Sequence, residues 1–94
     1  MKTFLICFEL SNNQRETELV SLIKESDSWA RIMDNIWCVR DDDKTTAEIR
    51  ERITSRVPIY ESERLMVFNI TGSAWASFNL PKQVTEWLKK KPSF

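Results

Sequence analysis

Two helix-start signals, each set between runs of strand-forming residues, constrain this chain more than anything else in it. Thr45 followed by Glu48 has the spacing of a capping box: the Thr hydroxyl takes a backbone N–H three residues on, and the Glu carboxylate reaches back to the Thr N–H. Behind it Ile49, Ile53 and Val57 recur at i, i+4 and i+8 with Ala47 nearby, the apolar stripe of a helix that Pro58 ends. Asn13 and Glu16 repeat the spacing ahead of Leu19, Leu22 and Ile23, which predicts a first helix over roughly residues 14–25.

The segments around these helices read as strands. Thr3 to Leu10 is a near-continuous apolar run, and Leu65 to Ile70 is another, polar only at Asn69. Trp29 to Met33 and Ile36 to Arg40 are two short strands divided by Asp34-Asn35, or one long bent strand. The order is β-α-β-β-α-β. With right-handed crossovers it puts both helices on one face of a four-stranded antiparallel sheet, an α+β, ferredoxin-like sandwich. Gly72 is the only Gly in the chain and suits a turn with positive φ. Ala74 to Phe78 reads as a short strand or a turn of helix. Pro81 then opens a short C-terminal helix from Lys82 to Lys91, with Val84, Trp87 and Leu88 as its stripe and Lys89-Lys90-Lys91 at its negative end. Residues 1–94 make a single domain, with a C-terminal extension over about 74–94.

Composition removes several chemistries. The chain has no His, so a His general base, a Ser-His-Asp triad and a His-ligated zinc site are all excluded. Fourteen Lys and Arg balance fourteen Asp and Glu, so bulk positive charge does not drive nucleic-acid binding, although a local basic patch is compatible with that total. Cys7 and Cys38 lie inside apolar strand-like runs and read as reduced core thiols without an activating base. Glu9 cuts the N-terminal apolar run too short for a signal peptide, and no stretch could span a membrane. A cytoplasmic location follows as the expectation.

Four Trp and five Phe are many for one thin core. The second face of the sheet needs cover, from a partner subunit or from the Ala74–Lys91 segment. Trp29, Trp37, Trp75 and Trp87 are the candidates to line that contact, against the plainer reading that all the aromatics pack internally around the single sheet.

Several segments occur in a familiar order: Phe8-Glu9-Leu10, Ser28-Trp29, Met33-Asp34-Asn35-Ile36-Trp37-Cys38-Val39, Ala47-Glu48-Ile49-Arg50, Arg64 to Phe68, Ala74-Trp75-Ala76-Ser77-Phe78 and Glu86-Trp87-Leu88-Lys89. Over nearly its whole length the chain resembles the bacterial SinR family of small proteins, which is similar to the CRISPR-associated Cas-two family. The resemblance implies a ferredoxin-like homodimer with its sheets facing each other. It also implies an acid at the end of the first strand, one per subunit, holding Mg²⁺ or Mn²⁺ for phosphodiester hydrolysis; other members serve only as a structural bridge for nucleic acid. The position matching that acid is Glu9, where the relatives carry Asp, and its longer arm sets the carboxylate oxygens elsewhere. Where the relatives' first helix is often basic, Arg15 and Lys24 are the only basic residues between Ser11 and Asp27.

The candidate chemistry is therefore sparse. Glu9 is the candidate catalytic residue and metal ligand, against the plainer reading of a strand-end acid facing water or accepting hydrogen bonds. Arg15, Arg31 and Arg40 are the candidate contacts to RNA or DNA phosphate, with Trp29 or Trp37 stacking on bases; the plainer reading is ion pairing with the many carboxylates. Asp41-Asp42-Asp43 reads as a solvated loop. A non-catalytic dimeric binding or scaffold module, contacting nucleic acid or a partner protein, is the preferred function. A divalent-metal nuclease using Glu9 at the dimer interface is the alternative, and a regulatory half of a two-gene module is a third class.

Overall fold

The capping-box residues do what their spacing implies. In the computed structural model, which describes residues 2–90, Thr45 Oγ1 accepts the Glu48 N–H at 3.2 Å and Glu48 Oε1 accepts the Thr45 N–H at 3.0 Å. They open helix α2, Thr46–Arg56. Helix α1, Asn13–Ile23, is capped by Asn12, whose side chain accepts the Arg15 N–H, so the cap falls one residue before the Asn13 of the sequence reading.

Four strands complete the β-α-β-β-α-β order: β1 (Lys2–Glu9), β2 (Trp29–Met33), β3 (Ile36–Asp41) and β4 (Arg64–Asn69). They form one antiparallel sheet in the order β2-β3-β1-β4, the ferredoxin-like arrangement. β1 is central, with Phe4 opposite Val39 on one side and opposite Asn69 on the other. Asp34-Asn35 is the turn of a true β2–β3 hairpin, and the β2 register slips by one residue between Arg31 and Met33. The competing single bent strand is thereby excluded.

Alternation along β1 sorts the two faces of the sheet. Phe4, Ile6 and Phe8 point at α1 and α2 and meet Leu19, Leu22, Ile23, Trp37, Val39, Ile49, Ile53 and Val57 in one core. Each of the larger aliphatic or aromatic side chains contributes about 1.5–3 kcal/mol by leaving water. Leu5, Cys7 and Glu9 point to the opposite face, beside Cys38 and Arg40 of β3 and Met66 and Phe68 of β4. A third helix, α3 (Lys82–Lys89), packs over the β2–β3 half of that second face. Pro81 is its N-cap rather than its first turn, and the expected continuation to Lys91 lies outside the described residues.

The connection from β4 to α3 is neither strand nor helix. Gly72 sits at φ +71°, as a turn requires, and Asn79 adopts φ +64°, a conformation Asn tolerates better than most residues. Ala74 to Phe78 runs between these two reversals without pairing to any strand of the sheet.

Candidate functional site

The second face of the sheet is where the candidate residues gather, and it is unevenly covered. Over β2 and β3 it is closed by α3. Arg40, which alternation turns to this face, is buried there with its guanidinium 3.9 Å from the centre of the Trp87 ring. Its Nη2 donates to the Trp87 carbonyl at 2.8 Å, and the Trp87 indole N–H donates to Ser28 Oγ at 3.0 Å. Burying an arginine is costly unless its donors are matched. Here the helix carbonyl and the ring face match them, so Arg40 fastens α3 to the sheet.

Over β1 and β4 the same face is bare. Met66 is 56% exposed and Phe68 45%, beside half-buried Leu5 and Cys7. Between the bare half and α3 lies an apolar cleft of about 340 Å³ lined by Leu5, Met33, Cys38, Trp75, Phe78 and Leu88. Phe78 stands on its rim at 88% exposure. An exposed apolar surface this continuous on a small domain marks a contact site more often than it is incidental.

Glu9 ends β1 on the bare face, exposed, with Arg64 of β4 as its cross-strand neighbour. Among the described residues no group of three or more His, Cys, Asp or Glu gathers to hold a metal ion. Glu9 thus contributes one carboxylate beside a cation, and one chain alone does not form a Mg²⁺ or Mn²⁺ centre.

The three candidate arginines are not brought together. Arg15 lies at the start of α1, where both terminal nitrogens donate to the two oxygens of Glu63. Its guanidinium also donates to the Pro58 carbonyl and stacks 4.1 Å from the Tyr60 ring centre. Arg31, on β2, pairs with the exposed Asp34 at 2.9 Å and lies 5.6 Å from the centre of the Trp37 ring. Arg40 is on the opposite face, under α3. The tryptophans divide likewise. Trp37 is 3% exposed and belongs to the helix-side core, with Trp29 tilted against it at 5.6 Å on the same side of the sheet. Trp75 and Trp87 flank the second face. Lys24, which the sequence reading did not single out, reaches over both Trp29 and Trp37, at 5.3 and 5.7 Å from their ring centres.

Glu63 is the main residue that sequence reasoning missed. Its side chain is 1% exposed, and it accepts the Ser11 N–H and hydroxyl, the Tyr60 N–H and the Arg15 fork. The hydrogen bond from Arg15, helped by those from Ser11 and Tyr60, holds its carboxyl well below the usual carboxylate range despite burial. The two thiols are not poised for nucleophilic work. Burial raises the Cys7 pKa and pushes that of Cys38 up to about 12. A polar hollow of about 580 Å³ between the end of α1 and the Asp41–Lys44 loop mixes carboxylates with Arg40, Lys44 and Arg52 and has no single charge character.

Fold and surface together define a ferredoxin-like α+β domain with a third helix over half of its open face. No protein-family model matches the chain, and no curated protein matches it. Among solved structures it is similar to the hypothetical protein TT1823 from Thermus thermophilus, with a TM-score of 0.64 and 13% identity over 85% of this chain and 94% of that one. At that identity the likeness shows the shared fold. No helix among the described residues is long and apolar enough to cross a membrane.

Proposed function

We propose that this chain is a non-catalytic binding or scaffold module, resembling the SinR and Cas-two-like proteins, that works as a homodimer in the cytoplasm. The observation that carries the reading is the bare β1–β4 half of the second sheet face, where Met66 and Phe68 stand exposed beside Leu5 and the apolar cleft. A second copy suits the β4 border of this patch, which holds no charge between its ends and at one end sets Glu9 and Arg64 side by side as opposite signs. Its ligand is a nucleic-acid strand or a partner protein.

The test combines sedimentation with three assays on purified protein. A dimer that shifts labelled RNA or DNA with strong salt dependence, or that captures a specific protein after nuclease treatment, and that cleaves nothing with Mg²⁺ or Mn²⁺, supports the module. Cleavage by the wild type that disappears in Glu9→Ala overturns it in favour of a metal-dependent nuclease. A monomer at all concentrations removes the dimer.

A further inference from the structure

The two edges of the sheet are unlike. The β2 edge carries a register slip between Arg31 and Met33, with the Arg31–Asp34 pair beside it, and both features discourage strand addition. The β4 edge has neither. From Leu65 to Phe68 it is uncharged, without Pro, Gly or register slip.

The Ile70 N–H donates to the Thr3 carbonyl, so Ile70 directs its backbone groups toward β1. On the far side of β1 the Phe8 N–H donates to the Asn35 carbonyl, so Phe8 turns away from its β4 neighbour Leu65. Because these directions alternate along a strand, Met66 and Phe68 bond to β1, while Leu65, Val67 and Asn69 turn N–H and C=O outward. Among the described residues, no further backbone hydrogen bond reaches those three outward groups.

The geometry points to antiparallel pairing of β4 with β4 of a second copy, about a two-fold axis that passes between the two Val67 residues, perpendicular to the sheet. This deepens the dimeric reading above by naming its contact. In this register Val67 faces Val67, and Leu65 faces Asn69 of the other copy, so every outward group finds a partner. On the bare face Met66 lies beside Phe68 of the second copy, which packs each exposed side chain of the strand against one from the other copy. A perpendicular axis keeps both helix layers on one side and joins the two bare faces into a single floor eight strands wide. Stacking the sheets face to face is obstructed by comparison: sheets pack about 10 Å apart, and α3 and the Phe78 rim stand on half of each face. Edge pairing also sets the two Glu9 carboxylates three strand spacings apart, at least about 14 Å, too far to share a metal ion.

The experiment is amide hydrogen exchange on the wild type from low micromolar to millimolar concentration, with sedimentation of Met66→Lys, Phe68→Glu and the double variant. The expected result is concentration-dependent slowing, at least about tenfold, at Leu65, Val67 and Asn69, with Met66 and Phe68 unchanged. Phe68→Glu weakens the dimer at least about tenfold, and adding Met66→Lys restores it, because each new Lys then faces a new Glu across the axis. Circular dichroism confirms that the variants are folded. A dimer with no change in exchange at the three outward amides, or one not rescued in the double variant, overturns the β4 contact while leaving the dimer. A monomer throughout overturns both.

Discussion

Arg15 and Glu63, 48 residues apart in sequence, meet through two parallel N–H···O bonds in a site where the Glu63 side chain is almost wholly buried. The pair ties the start of α1 to the turn that precedes β4, and Ser11 and Tyr60 complete the carboxylate's bonds. Its folded pKa lies below the ordinary 4.5. A depressed carboxyl stabilises the fold above its unfolded pKa and loses that contribution as pH falls through the folded value. Urea midpoints of the wild type are therefore expected to hold through neutral pH and to drop progressively below about pH 4.5. Glu63→Gln should flatten that drop and lower the midpoint at pH 7, more than Glu25→Gln does at its exposed pairs with Arg52 and Arg56. An unchanged acid profile in Glu63→Gln would count against this account.

The α2 cap gives a second expectation. Thr45→Ala removes the acceptor for the Glu48 N–H and should cost about 1 kcal/mol in denaturant unfolding. Thr45→Ser should recover most of it. Loss in both variants alike would mean that packing of the Thr methyl, not the cap, is what matters.

Arg40 and Trp87 provide a third. Arg40→Ala deletes a charged donor to the Trp87 carbonyl and the guanidinium over its ring, and is expected to cost about 1.5–3 kcal/mol. Arg40→Lys should restore little, since an ammonium is not planar and cannot stack as a guanidinium does. Limited proteolysis should then cut between β4 and α3 faster than in the wild type. Equal cutting rates would place the strength of that attachment elsewhere, at Val84 and Leu88.

The thiols offer a fourth. With both pKa values raised by burial, iodoacetamide at pH 8 should label Cys7 slowly and Cys38 only on unfolding. Mass spectrometry of native and urea-treated protein reads the difference. Rapid native labelling of Cys38 would show that α3 opens readily.

Most of the fold was legible because its signals are local. The Thr45–Glu48 box, the three-to-four residue stripes and the apolar runs each act within a few residues, and the β-α-β-β-α-β order follows from them. Where two neighbours carry the same signal, the sequence is ambiguous: Asn12 and Asn13 are chemically identical caps, and the structure uses the first. The site was less legible because its residues are defined by distant partners. Nothing local distinguishes Glu63 from Glu61, yet one is enclosed by Ser11 and Arg15 and the other faces water. Arg40 looked available for phosphate until α3 folded back over it. Trp37 alternates correctly for the helix-side core, but only the register with Ile6 shows which side that is.

The register slip in β2 carries a consequence for solution behaviour. A sheet with two receptive borders would keep recruiting copies and lengthen into a fibre. A sheet with one receptive border is satisfied by a single encounter, after which only the slipped, charged border faces outward. Concentrating this protein should therefore saturate at a fixed particle mass instead of ending in a gel.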